Sequence, residues 1–248
     1  MDMPYDFSDD RAPAMGLIVL KTDELIEFEL GKLFLGLGLR VHQTRIESAP
    51  DVRPETLATM AGGMTAAAAM LPLGADIRAI GYGCTSGATV IGENRVARLV
   101  NAAHPDLPVT NPLSALKAAC QALGVKRLGI VSPYVENVTD ALCHAVEADG
   151  VSISAVGAFN QVDDQTVAQI SPKSTLAGYL EIGAGDCDAV FASCTNLRAM
   201  EVIAEAEAAL KKPILCSNQV LGWHMLRLSG NNSQPVGYGK LFESPLHS

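Results

Sequence analysis

Two short segments carry the groups best suited to chemistry. Gly83-Cys84-Thr85-Ser86 and Ser193-Cys194-Thr195-Asn196 each set a thiol beside a hydroxyl, directly after the apolar runs Ile77 to Gly83 and Ala189 to Ser193. Ligands of open α/β sheets bind at the carboxyl ends of strands. A thiol placed there, among the free N–H groups of a helix N-terminus, sits in a positive field that lowers its pKa and raises its thiolate fraction. The same N–H groups hold a substrate carboxylate. Two such thiols on opposite walls of one cleft suit a specific reaction: one thiolate takes a proton from one face of a carbon, and the other thiol returns a proton to the opposite face. The alternative is thiolate addition to an activated double bond, rotation and elimination. Against both stands the ordinary role of a buried cysteine as a small hydrophobe. That is the reading for Cys120, Cys143, Cys187 and Cys216.

The elements that position these thiols follow from hydrophobic patterning. Strands are expected at Gly16–Leu20, Val41–Ile46, Ile77–Gly83, Leu107–Thr110, Arg127–Ser132, Val151–Val156, Ala189–Ser193 and Pro213–Ser217. Helical stretches lie between them, such as Ser114–Leu123 with Leu116, Ala119, Cys120 and Leu123 on one face. Alternation of this kind predicts an α/β fold of parallel sheets covered by helices on both faces, and the continuously apolar Leu17–Leu20 agrees.

The chain also repeats itself. Met15-Gly16-Leu17-Ile18-Val19 recurs as Leu128-Gly129-Ile130-Val131-Ser132, the two Cys-Thr segments correspond, and Thr110-Asn111-Pro112 recurs as Ser217-Asn218-Gln219, all at similar offsets. A diverged duplication predicts two parallel-sheet lobes related by a pseudo-two-fold axis, with the active site in the cleft between them. The expected lobes are 1–115 plus 217–248, and 116–216. The tail from Ser229 to Ser248, rich in Gly, Asn and Pro, is expected to pack on the first lobe.

Composition narrows the partners. With 248 residues, a net charge of -9 and no Lys/Arg cluster, the chain lacks the concentrated basic charge that nucleic acids or anionic membranes require. No apolar run approaches the roughly 20 residues of a membrane span. Met1 to Ala14 is acidic and contains proline, unlike a secretory signal, so a cytoplasmic location with six reduced cysteines is the expectation. No C-x-x-C pair and no zinc-spaced His accompanies them, which disfavours a metal site.

Other candidates carry less. Gly81-Tyr82-Gly83-Cys84-Thr85-Ser86-Gly87 places its third glycine one position late for a dinucleotide fingerprint. His224 beside Trp223 reads as a packed or surface residue, and Arg198 as part of a solvated helix face. Tyr134 follows a strand end, where its phenol can donate to an oxyanion or simply fill a loop.

The paired Cys-Thr segments and the duplicated halves resemble the aspartate/glutamate racemase superfamily. Within it the chain is most similar to the branch of maleate cis-trans isomerases, arylmalonate decarboxylases and racemase-like proteins of ectoine utilisation. Ser193–Ile203 and Ser217–Leu228 resemble the ectoine-utilisation group, and Pro235–Phe242 the end of arylmalonate decarboxylase. The resemblance implies that Cys84 and Cys194 are the catalytic pair. It also implies that Thr85, Ser86, Thr195 and Tyr134 bind a carboxylate or stabilise an enediolate, with Asn196 beside them. Decarboxylases of this branch keep only the second cysteine, so Cys84 points to racemisation or isomerisation. Lys21-Thr22-Asp23-Glu24 stands where maleate isomerases carry an asparagine, and the Asp-Ser-Gly of amino-acid racemases is missing. Asp163 or Asp164 takes the place of a substrate-binding asparagine, and an acidic residue there suits an ammonium or hydroxyl group.

The resulting expectation is a cofactor-independent racemase or isomerase of a small carboxylate, with an amino-acid derivative of compatible-solute catabolism as one candidate. A homodimer or larger homo-oligomer is the family expectation. Maleate cis-trans isomerisation by covalent addition is the alternative, followed by decarboxylation. A non-catalytic small-carboxylate binding protein is the rival from another class, since folds host many functions.

Overall fold

The computed structural model describes residues 1, 3–8 and 11–246. Among the described residues, eight strands and eleven α-helices follow one another along the chain. The first half contains β1 (Ala14–Leu20), α1 (Ile26–Gly36), β2 (Arg40–Ile46), α2 (Pro54–Thr59), α3 (Met64–Ala69), β3 (Ile77–Gly83), α4 (Thr85–Ile91), α5 (Glu93–Asn101), β4 (Val109–Thr110) and α6 (Pro112–Leu123). The second contains β5 (Arg127–Tyr134), α7 (Glu136–Glu147), β6 (Ser152–Gln161), α8 (Asp164–Ala168), α9 (Pro172–Gly183), β7 (Ala189–Ala192), α10 (Ile203–Leu210), β8 (Ile214–Cys216) and α11 (Ser217–Leu228).

The strands form two four-stranded parallel sheets with the same internal order, β2-β1-β3-β4 and β6-β5-β7-β8. This is the α/β architecture expected from the alternation, and the repeated order matches the repeated sequence. Central β1 is buried at every residue because helices cover both of its faces, whereas β6 at a sheet edge alternates between exposed and half-buried positions.

Three details differ from the sequence reading. Strand β5 runs on to Tyr134, and β6 extends to Gln161 as its partner, with a register shift between Ser132 and Tyr134. Pro133 lies at that shift, having no N–H to give the ladder. Cys194 is followed by a turn rather than a helix. The third repeat is out of register: Asn111 caps α6 after β4, and the structural counterpart is Cys216, the last residue of β8 and the N-cap of α11, so Ser217-Asn218-Gln219 is already the first turn of α11.

Helix α11 leaves the second sheet and lies across the first, packing on β3, α1 and α6. Two glycines permit the close approach. A Cβ on Gly81 would stand 2.6 Å from Met225 Sδ, and one on Gly222 would stand 2.7 Å from Leu33 Cδ2. The tail then folds over α11, where the Arg227 guanidinium donates to the carbonyls of Asn231, Ser233, Phe242 and Ser244. No helix among the described residues is long and apolar enough to cross a membrane.

Candidate active site

Strand ends of the two sheets meet in a network of cross-lobe hydrogen bonds. The Ser217 hydroxyl, first in α11, accepts from the Cys194 N–H at 2.9 Å and lies 2.8 Å from Thr85 Oγ1. Thr195 Oγ1 donates to the Gly83 carbonyl at 3.3 Å. Asn196 accepts from the Glu24 N–H at 2.9 Å and donates to the Asp164 carbonyl at 3.0 Å. Backbone bonds from Val52 to Val162 and from Asp164 to Pro50 close the opposite side.

Both thiols are buried within this network. Cys84 is the N-cap of α4, and its sulfur accepts from the Gly87 N–H at 3.1 Å. Cys194 is held at φ 105°, a region that costs a non-glycine residue on the order of 1–3 kcal/mol. Two contacts fix it there: its N–H on Ser217, and the Asn196 N–H on its sulfur at 3.2 Å. Tyr134 connects the second thiol to a carboxylate, its hydroxyl lying 3.0 Å from Cys194 Sγ and donating to Asp164 Oδ1 at 3.0 Å. Asp164 Oδ2 accepts from Thr22 Oγ1 at 2.6 Å.

The expected lowering of the thiol pKa is reversed. Burial pushes Cys84 up to about 12 and Cys194 well upward, outweighing the single N–H donated to each sulfur; the carboxylates of Asp164 and Asp23 add to the rise. Cys194 has no helix N-terminus to help it, because a turn follows. Burial raises Asp164 as well, against the hydrogen bonds from Thr22 and Tyr134.

A narrow cleft of ≈ 20 Å³ opens beside Cys84 and is also lined by Thr22, Ser86, Tyr134 and Asp164, with an apolar wall that includes Leu57 and Met60. The structure therefore brings Cys84, Ser86, Tyr134 and Asp164 to one surface. Cys194, Thr85, Thr195 and Asn196 do not line it. The Thr85, Thr195 and Asn196 side chains spend their polar atoms on the cross-lobe network, and Cys194 meets the cleft-lining Tyr134. Asp163 is the N-cap of α8 and points its carboxylate at Gln165 and Thr166.

The remaining candidates settle into structural roles. His224 Nδ1 lies 2.8 Å from Thr110 Oγ1 with its ring stacked on Trp223, and burial lowers it to about 4. Arg198 pairs with Glu201 at 3.1 Å on the exposed surface. Cys120, Cys143, Cys187 and Cys216 are buried free thiols. Among the described residues no group of three or more His, Cys, Asp or Glu is placed to hold a metal ion.

Four residues at the centre of the network were given no role at the site by the sequence, although Asp23 lies in the segment that replaces the maleate isomerases' asparagine and Ser217 and Asn218 in a repeated segment: Asp23, Glu29, Ser217 and Asn218. Asp23 Oδ1 accepts from the N–H groups of Leu25 and Ile26, and its other oxygen has no close hydrogen-bond partner among the described residues, with the Thr195 hydroxyl nearby. Burial raises Asp23 to about 6 and Glu29 to about 8. Glu29 Oε2 accepts from Asn218 Nδ2 at 2.7 Å, which also donates to the Thr195 carbonyl at 2.8 Å. The available signal was position: Asp23 lies three residues beyond β1, at the same sheet end as Cys84.

Comparison with known proteins gives this constellation a family. The arylmalonate decarboxylase family model matches residues 48–242, most of the chain. The chain belongs to that family. It is 27% identical over 146 residues to arylmalonate decarboxylase of Bordetella bronchiseptica, covering 55% of this chain and 58% of that relative, somewhat under two thirds of its length. A maleate isomerase of Nocardia farcinica is 24% identical over 224 residues, 86% of this chain and 88% of the relative. A solved structure of Nocardia farcinica maleate cis-trans isomerase, a mutant with a covalently bound succinylcysteine intermediate, superposes with a TM-score of 0.85 at 22% identity over 93% of this chain and 98% of that one. Maleate isomerase Iso from Pseudomonas putida S16, with maleate, gives a TM-score of 0.87 at 22% identity over 95% of this chain and 99% of that one.

Proposed function

We propose that this chain is a cofactor-independent two-cysteine isomerase of a small carboxylate, acting by proton transfer between Cys84 and Cys194. The observation that carries this reading is the pairing itself. One thiol follows β3 and the other follows β7, the equivalent strands of two sheets with the same order, and both belong to one hydrogen-bonded network.

The reaction balances without a co-reactant. A thiolate removes the proton next to the substrate carboxylate, becoming a thiol and leaving an enediolate. The facing thiol then protonates the opposite face and is left as a thiolate. Burial makes a thiolate formed here a strong base, suited to a weakly acidic C–H bond. Asp164 and Tyr134 offer a route for its formation: the Cys194 proton passes to Tyr134 Oη as the Tyr134 proton passes to Asp164. Ser86 and the Tyr134 hydroxyl are the donors this reading assigns to the enediolate. Since Tyr134 stands on the Cys194 sulfur, substrate entry has to draw that hydroxyl aside.

The test is proton NMR in D₂O with a panel of maleate, both aspartate enantiomers, hydroxyaspartates, N-acetyl-diaminobutyrate and a phenylmalonate. Washout of an α-proton signal by the parent, absent with both Cys84→Ala and Cys194→Ala, is the expected result. Full activity in either variant ends the two-thiol mechanism.

A second reading is cis-trans isomerisation by covalent thiolate addition, favoured by the similarity to maleate isomerases, one of them with a succinylcysteine intermediate. Its signature is conversion of the maleate vinyl signal to that of fumarate, together with a mass adduct on one cysteine.

A further inference from the structure

Tyr82 has no part in the mechanism above, yet it is a fully buried phenol set two residues before Cys84 on β3. Cys84 continues the extended backbone of that strand, and side chains two apart on an extended chain leave by the same face. Gly87, in the first turn of α4, leaves the space between the two groups open. A Cβ there would lie 2.5 Å from Tyr82 Oη and 2.9 Å from Cys84 Sγ, so both groups border the place of one absent methyl. The phenol hydroxyl stands within hydrogen-bonding reach of the Cys84 sulfur. It donates to the Met60 sulfur at 3.5 Å.

These two acceptors change order with the charge on Cys84. A thioether and a thiol are both weak acceptors, so a neutral Cys84 leaves the hydroxyl with Met60. A thiolate is an ionised acceptor, and hydrogen bonds to ionised groups are about twice as strong as neutral ones. Rotation about the phenol C–O bond then moves the donor from Met60 to Cys84 while the ring stays packed. The second lobe differs. Ala192 stands two residues before Cys194, and the phenol that meets that thiol, Tyr134, hands on to the carboxylate of Asp164. Behind Tyr82, among the described residues, stands the Met60 thioether, which does not take up a proton. Tyr82 can therefore hold charge on a sulfur but cannot carry its proton away.

We infer that Tyr82 is a positioning residue for the first thiol: its hydroxyl rests on Met60 while Cys84 is protonated and swings to the sulfur when Cys84 is a thiolate, holding that charge in place. The inference deepens the two-thiol reading and rests on it for the role in turnover, where Cys84 is left as a thiolate after protonating the enediolate. The two sides are then unequal. Tyr134 and Asp164 take a proton from Cys194, whereas Tyr82 steadies the charge on Cys84.

The test needs no substrate: alkylation of Cys84 in the full chain by iodoacetamide at pH 9, read by peptide mass spectrometry. Tyr82→Phe removes the donor and opens room around the sulfur. Its Cys84 is expected to react about tenfold more slowly, the worth of one hydrogen bond to an ionised group, whereas a residue that only fills space would leave the rate equal or raise it. Met60→Leu removes the competing acceptor at similar volume, and its Cys84 is expected to react at least twofold faster. That acceleration is expected to vanish in the double variant, Tyr82→Phe with Met60→Leu, where an effect of wider access would persist. Equal or faster labelling in Tyr82→Phe, no acceleration in Met60→Leu, or an acceleration that survives in the double variant overturns the inference. Should Tyr82→Phe fail to fold, the Met60→Leu rate decides. A slowed Cys84 beside full turnover in Cys84→Ala would keep the contact between phenol and thiolate and end the two-thiol reading, so the two failures are read separately.

Discussion

Tyr134 Oη stands 3.0 Å from the Cys194 sulfur while donating to Asp164 Oδ1, also at 3.0 Å, so one buried phenol joins a thiol to a carboxylate. Burial raises all three groups, and the phenol's polar contacts are the thiol and the carboxylate. Tyr134→Phe removes the link with little change of volume. The expected outcome is a fall in kcat of about 100-fold, within the usual worth of a positioned proton carrier. A pH profile separates proton transfer from packing: the variant is expected to regain part of its rate as pH rises and the thiolate forms without help. A profile parallel to that of the parent would show that Tyr134 only fills space.

The raised thiols make a second prediction. A free cysteine has a pKa near 8.5, whereas burial holds Cys84 up to about 12. Iodoacetamide labelling of Cys84, followed by peptide mass spectrometry, is therefore expected to accelerate about tenfold per pH unit from pH 7 to 10 with no plateau. A plateau near pH 8.5 would mean that the hydrogen bond from the Gly87 N–H cancels the effect of burial.

These two expectations mark where sequence reading stops. The strands were legible because their apolar runs are long and bounded, and the thiols because each follows such a run. The direction of the thiol pKa was not, since it depends on how much water the second lobe excludes. That lobe docks through contacts such as Thr195 to Gly83 and Asn196 to Glu24, far apart in sequence. Asp23 was hidden for the same reason: only the closed network shows that one of its oxygens has no close hydrogen-bond partner among the described residues. Tyr134 was noticed as a strand-end residue, but its role depends on Asp164, thirty positions away, turning inward. The return of α11 over the first sheet brings Ser217 between Thr85 and Cys194, and no local pattern announces it.

Gly87 offers a third prediction, about how tightly the first thiol is held. A Cβ at this position would lie 2.5 Å from Tyr82 Oη, 2.8 Å from Met60 Cε and 2.9 Å from Cys84 Sγ. Met60 is flexible and can yield, but the sulfur cannot move without losing the Gly87 N–H. Gly87→Ala is expected to cost about 1–3 kcal/mol of stability from overpacking. Activity is expected to fall at least tenfold with KM altered, because Met60 and Cys84 both line the cleft. Thermal unfolding measured beside steady-state kinetics distinguishes this from general destabilisation, which would leave the kinetics of the folded fraction unchanged.

The buried carboxyl of Glu29 predicts how stability varies with pH. Its pKa rises from 4.5 to about 8 on folding because burial disfavours the charge more than the Asn218 amide favours it. The native state then holds a proton that the unfolded chain has released. This contribution to stability is fully present below pH 4.5 and is lost as pH rises through about 8. Asp23, raised from 3.8 to about 6, acts in the same direction over a lower window. The parent is therefore expected to lose several degrees of Tm between pH 6 and 8.5, on the scale of 2–4 °C per kcal/mol for a chain of this size. Glu29→Gln retains an oxygen to accept from Asn218 and has no proton to lose, so its Tm is expected to stay nearly flat over that interval. A decline as steep as that of the parent would place the titrating group elsewhere. A loss of Tm in the parent confined to pH 4–6 would assign the effect to Asp23 instead.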